Sequence, residues 1–328
     1  MKIKRGFALL LAAALVFALP GCGKGENDKD GSSASGDGNF PAEFDTGVVE
    51  QAPDAVVSLS PALTELAFDL GYGGKLVGVS DFCTDEDGAL DGLPNLGTVN
   101  APKTDEILKL SPQVVVAVSP LTSADRKKLE KGGAAVIVLP LAEDLDGLET
   151  LYRDLGRVFG GDTDGAQAGK KLYDEQVARL EGIREQVEAA GPFEAAYLRV
   201  MPLTLATGDT FPGRMLEEAG FENSASDYTG WVYPEDKAVD LMPQVLFFDE
   251  AVGMDAVSGS TIYNTTPAYA NAKCFAYDLE VFERQGVRMF DLLEQMANDA
   301  VGGSSADSGR EDGDTPANPA QDEDLDTE

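Results

Sequence analysis

Through the middle of the chain, short apolar runs rich in β-branched residues alternate with segments whose apolar positions recur every three or four residues. The runs at 55–59, 76–79, 114–118 and 135–139 read as strands, and the segments at 61–70, 104–110, 123–131 and 145–159 as helices. The strand runs are apolar at successive positions instead of alternating with polar ones, as expected of strands buried on both faces in a mainly parallel sheet flanked by helices. Ser60 is placed to cap the helix that Pro61 opens and Gly71 ends. Between 164 and 190, Leu172, Val177, Leu180, Ile183 and Val187 fall three to five apart, which predicts one long helix. After Gly191 and Pro192 the alternation restarts, with strands at 195–200, 245–248 and 274–277 and helices at 212–219, 235–242 and 285–297. The pattern therefore predicts an α/β fold: two Rossmann-like lobes with mainly parallel sheets, over 51–161 and 192–300, joined by a single long α-helix over 162–191.

The ends of the chain change the picture from fold to place. Lys2, Lys4 and Arg5 precede an apolar run over 7–19, the charged region and hydrophobic core of a secretory signal ending at 21. That run is shorter than the roughly 20 residues a membrane-spanning helix needs. Leu19, Pro20, Gly21 and Cys22 resemble the bacterial lipobox, and that resemblance implies lipidation of Cys22 and an extracytoplasmic protein anchored to the cell membrane. Residues 22–50 and 301–328 are rich in Gly, Ser, Asp and Glu, so a disordered tether and an acidic disordered tail are expected. Cys83 and Cys274 read as free thiols.

Composition removes several classes of function. The 328 residues hold 58 acidic and 25 basic side chains, for a net charge of −33. A nucleic-acid partner would demand clustered Lys and Arg, so none is expected. The chain has no histidine, which excludes Ser-His-Asp and Cys-His catalytic groups, the HExxH motif and histidine-held metals. Gly73, Gly74 and Lys75 lack the spacing of a phosphate-binding loop. No catalytic residue, metal site or resident cofactor is nominated. A surface-anchored hydrolase using two carboxylates is the competing class, but most of the acids fall in the ends and on exposed helix faces.

In open parallel α/β sheets, ligands bind beyond the carboxyl ends of the strands. That rule nominates Ser60, Pro61, Phe82, Asn100 and Pro120 in the first lobe, and Arg199, Thr207, Asp209, Trp231 and Tyr233 in the second. The aromatic members suit a large, flat, partly apolar ligand.

Three stretches carry a family resemblance: VVSLSPALTELAFDLGYGGKLVGVSDFC at 56–83, LPNLGTVNAPKTDEILKLSPQVVVA at 93–117 and ATGDTFPGRMLEEAGFENSA at 206–225. In this order, over about 54–300, the chain resembles the class III periplasmic binding proteins for iron-siderophores, haem and cobalamin, whose lobes are joined by one long backbone helix. The resemblance implies a monomeric, non-catalytic solute-binding component of an ABC importer. It would deliver a small-molecule metal chelate to permease subunits driven by a cytoplasmic ATPase, with modest lobe closure. Asp105 in KTDEIL and Asp236 in PEDKAV match the positions where family members dock acidic residues against permease arginines, with Asp in place of Glu. The segments SLSPALTELAFDLG and VGVS look closest to the cobalamin branch, which favours a corrinoid. A ferric siderophore would need more basic residues than Arg199 and Arg214, and haem would need an axial ligand from Tyr72, Tyr228, Tyr233 or Met201.

Overall fold

Two sheets of apolar strands organise the computed structural model, which describes residues 39–83 and 88–302. The chain enters through an antiparallel hairpin of β1 (Ala42–Phe44) and β2 (Gly47–Val49). There follow β3 (Val56–Ser58), α1 (Pro61–Asp69), β4 (Leu76–Gly78), a small hairpin of β5 (Gly97–Thr98) and β6 (Ala101–Pro102), α2 (Thr104–Lys109), β7 (Val114–Ala117), α3 (Ser123–Lys131) and β8 (Ala135–Val138). The first lobe's sheet has the order β4-β3-β7-β8, with every pair parallel. Successive residues of a strand point to opposite faces, so Val56, Val114 and Val116 feed one core while Val57, Val115 and Ala117 feed another. This two-sided burial is why the strand runs are apolar at every position.

Helices α4 (Leu145–Gly160) and α5 (Ala166–Ala190) are joined by a π-helical turn, Gly161–Gly165. The two helices touch backbone to backbone. A methyl group on Gly156 would strike the carbonyl of Gly165, one on Gly165 the carbonyl of Gly156, and one on Gly169 the carbonyl of Tyr152. The predicted long helix is thus present over 25 residues, entered through a turn whose first and last positions, Gly161 and Gly165, leave no room for a Cβ.

The second lobe contains β9 (Glu194–Val200), β10 (Thr204–Leu205), α6 (Phe211–Glu218), β11 (Glu222–Asn223), β12 (Val245–Asp249), α7 (Met254–Gly259), α8 (Pro267–Ala270), β13 (Cys274–Tyr277), α9 (Leu279–Glu283) and α10 (Val287–Gly302). Strands β9, β12 and β13 run parallel; β10 pairs antiparallel with the end of β9, and β11 pairs parallel with its start.

Three expectations need correction. The tether expected over 22–50 gives way to structure before its end, because residues 42–49 form the first hairpin. Thr46 Oγ1 accepts from Val138 N at 2.9 Å and Arg126 donates to the Thr46 carbonyl, which fastens that hairpin to β8. The helix expected over 235–242 is a 3₁₀ segment, Glu235–Asp240, confined between Pro234 and Pro243; a proline disfavours helical backbone in the residue before it. The helix expected from 285 begins at Val287, since Gln285 adopts φ 61°. Residues 1–38 and 303–328, with the signal, Cys22 and nearly all of the acidic tail, lie outside the described residues. Cys83 and Cys274 are unpaired by disulfide, as read from the sequence.

The lobes meet through segments that follow strand ends. Gln285 Nε2 donates to the Ala142 carbonyl and its Oε1 accepts from Ala142 N, both at 2.8 Å. Tyr152 Oη donates to the Gln285 carbonyl at 2.9 Å. Beside them Arg284 pairs with Glu65 at 2.6 Å and Val287 N donates to Asp69 at 3.0 Å. Arg214 Nη1 donates to the Glu143 carbonyl at 2.9 Å. These partners follow β3 and β8 in one lobe and β10 and β13 in the other, so the carboxyl edges of the two sheets are turned toward each other.

Candidate ligand-binding cleft

The facing edges hold their most specialised backbone at 206–233. Thr210 Oγ1 accepts from Gly213 N at 3.2 Å and caps α6, which Pro212 suits at its first turn. Glycine is required at 208, where a Cβ would meet the Ser226 carbonyl. The intervening side chains turn back across the loop. Thr207 Oγ1 donates to Asp209 Oδ1 at 2.6 Å and accepts from Trp231 N at 3.1 Å. Both Asp209 oxygens accept from Gly230 N at 3.0 Å. The Thr207 hydroxyl, helped by that backbone N–H, holds the Asp209 carboxyl below its usual pKa. Together they fix Gly230 and Trp231 at φ 69° and 66°. The Trp231 ring is turned inward, 6.2 Å from that of Tyr197, and the next residue, Val232, is left 62% exposed.

Thr207 is therefore fully buried, and its expected place as a ligand contact gives way to one supporting the Trp231 turn. Tyr233 is buried too, edge-on to Tyr228 at 4.7 Å. Ser60 is buried as the cap of α1, accepting from Leu63 N at 3.4 Å. Pro61 is half-buried at the start of that helix, Asn100 is exposed at the tip of the β5–β6 hairpin, and Pro120 is exposed after β7. Phe82, just beyond β4, is 68% exposed. Sequence reasoning missed Val200, the last residue of β9, which is 53% exposed; nothing separates it in the sequence from the buried valines of other strands.

The cations at the facing edges are compensated. Arg199 binds Asp249 at 2.6 Å and Glu283 at 2.9 Å, with Glu280 at 4.0 Å. Burial pushes the Glu283 carboxyl up in spite of that arginine. Arg214 lies 3.8 Å from Asp144, and Lys103 pairs with Asp81 at 3.1 Å. Asp105 stands exposed on α2 and pairs with Lys128 at 2.8 Å. Asp236 stands exposed on the 3₁₀ segment, and no side-chain partner for it is found among the described residues.

A hollow of about 750 Å³ opens elsewhere, between the β1–β2 hairpin, the loop after β8 and α4. None of the nominated residues lines it and its walls come from the first lobe alone. Its one arginine, Arg157, is bound by Asp154 and Asp162 and lies over the Phe44 ring. It is a gap beneath the hairpin that reaches the seam between the lobes at Ala142, Glu143 and Asp144. Among the described residues no group of three or more Cys, Asp or Glu is arranged to hold a metal ion, and no helix is long and apolar enough to cross a membrane.

Comparison with known proteins agrees with this geometry. Residues 56–280 match the family model described as periplasmic binding protein. An uncharacterised ABC transporter substrate-binding lipoprotein of Bacillus subtilis is 26% identical over 311 residues, which cover 90% of this chain and 97% of that protein. A cobalamin-binding protein of Halobacterium salinarum is 24% identical over 261 residues, 76% of this chain and 70% of that one. Among solved structures, the periplasmic haem-binding protein of Vibrio cholerae superposes with a TM-score of 0.64 at 21% identity, covering 74% of this chain and 97% of its own. With two facing, mainly parallel sheets, one long helix and a family match over most of its length, the chain belongs to the periplasmic binding protein family, in the class III architecture.

Proposed function

We propose that this protein is the extracytoplasmic solute-binding component of an ABC importer, lipid-anchored through Cys22 and without catalytic activity, and that its cargo is a corrinoid. The importer role is supported by the lipoprotein relative, and the cargo by the cobalamin-binding relative. The observation that carries the choice of cargo is the charge state of the facing edges. Arg199 and Arg214 are already engaged by Asp249, Glu283 and Asp144, which leaves little unspent positive charge for an anionic ferric siderophore. Haem is disfavoured by its axial requirement. The chain has no histidine, Tyr72 is stacked on Phe159 at 4.8 Å, burial pushes the Tyr233 hydroxyl up to about 12, which disfavours the phenolate, and Tyr228 and Met201 pack against the core of the second lobe. A corrinoid brings its own metal ligands and presents methyls and neutral amides, which an edge of compensated charge and exposed apolar side chains can accommodate. Exposed Asp105 and Asp236 are the groups we assign to the permease.

The test is titration of the purified protein with cyanocobalamin, haemin and a ferric siderophore panel, read by the fluorescence of Trp231, the single tryptophan. Saturable quenching by cyanocobalamin, corrected for its absorbance, is expected. A response to haemin or a siderophore alone would reassign the cargo. Charge reversal of Asp105 and Asp236 is expected to leave that binding intact while abolishing uptake in cells, and Cys22→Ser to release the protein from the membrane fraction.

A further inference from the structure

Val200, Thr204 and Val232 form a lateral row. Thr204 lies opposite Val200 in the β9–β10 pairing and opposite Val232 across an isolated antiparallel bridge. Tyr233 N donates to the Leu203 carbonyl and Leu205 N to the Trp231 carbonyl, both at 3.1 Å. Those bonds bracket Thr204 and Val232 as a non-hydrogen-bonded pair, the arrangement that brings opposed side chains closest. Opposed residues share a face of the ribbon, so the three side chains stand together. They stand in solvent: Val200 is 53% and Val232 62% exposed, with Thr204 half-buried between them.

The position of the row gives it meaning. Val200 ends β9, which puts the row on the carboxyl edge that faces the other lobe, the lobe where Phe82 is likewise exposed. The left-handed turn at Gly230 and Trp231 sends the indole inward and leaves Val232 on the surface. Arg199, the charged neighbour of Val200, is neutralised by Asp249 and Glu283. An uncharged apolar strip with compensated surroundings fits a ligand edge of methyls and neutral amides, and does not fit carboxylates or phosphates.

The geometry points to the row Val200–Thr204–Val232 as the contact strip for the methyl-bearing edge of a corrinoid macrocycle, an inference that rests on the corrinoid reading above. The side chain the sequence singles out, Trp231, then acts as the support that sets Val232 in place.

The test compares cyanocobalamin affinity in Val200→Ser, Val232→Ser and their double variant with that of Val239→Ser, which alters a still more exposed valine of the same lobe outside the row. Because both row valines are exposed, the thermal midpoint of the unliganded protein is expected to stay unchanged. Removing two apolar contacts is expected to weaken binding about tenfold in the double variant, with Val239→Ser matching the wild type and Val232→Leu retaining affinity. Wild-type affinity in the double variant overturns the inference alone. So does unchanged affinity with impaired uptake, which would give the row to the permease. Absence of cyanocobalamin binding in the wild type overturns the corrinoid reading, and this inference with it.

Discussion

Trp231 sits at φ 66°, in the left-handed region that a bulky side chain occupies only where its surroundings impose it. Thr207 and Asp209 impose it here through their bonds to the backbone N–H groups of Trp231 and Gly230. Thr207→Val keeps the buried shape but removes the acceptor of Trp231 N and the donor to Asp209. The expected cost is about 1–2 kcal/mol, read by urea unfolding, with a red shift of tryptophan emission in the folded protein. Protonation of Asp209 has a related effect. Its folded pKa is depressed, so the stabilisation is fully present above the unfolded value of about 3.9 and is lost as the pH falls through the lower folded value. Emission should hold constant from neutrality to about pH 4 and shift only below; a transition well above that contradicts the assignment. Residues 207, 209 and 231 could be nominated from the sequence because they follow expected strand ends. Their division into supports and contacts was not, since it depends on a turn whose partners are more than twenty residues apart in sequence.

At the scale of elements, α4 and α5 cross with carbonyls where side chains would otherwise be. Gly156→Ala places a methyl against the Gly165 carbonyl, and since neither backbone can give way, a loss of about 2–3 kcal/mol is expected in urea unfolding. Gly182, on the same long helix, is exposed with open space where a Cβ would stand. Gly182→Ala is therefore expected to stabilise by about 0.5–1 kcal/mol; a similar loss in both variants would remove the crossing as the cause. Elements with a period were legible: the doubly buried strands, the helices with recurring apolar positions and the 25-residue α5. Strands β5, β6, β10 and β11 were not, because two residues carry no period. The first hairpin was hidden differently. Averaging composition over 22–50 diluted the sequence FDTGVV at 44–49, whose turn residues lie between apolar ones.

For the whole molecule, the least local hydrogen bonds among the described residues join the lobes: Gln285 is 143 positions from Ala142, and Arg284 is 219 from Glu65. The order of strands and helices revealed two lobes and a connecting helix, yet no local pattern marks residues paired over such separations. Gln285 uses its amide as a strand uses its peptide, giving and taking one bond with Ala142 in a buried site. Gln285→Ala leaves that N–H and C=O unmatched. A loss of about 1–3 kcal/mol is expected, with Gln285→Glu intermediate because it accepts but cannot return the bond; equal stability of all three proteins by urea unfolding would show that the clasp contributes nothing. A clamp stapled along this seam would have little travel, and its loaded and empty outlines would nearly coincide. A transporter in search of full carriers would then have to feel for the passenger itself, whose uncovered edge becomes part of the face that the carrier presents.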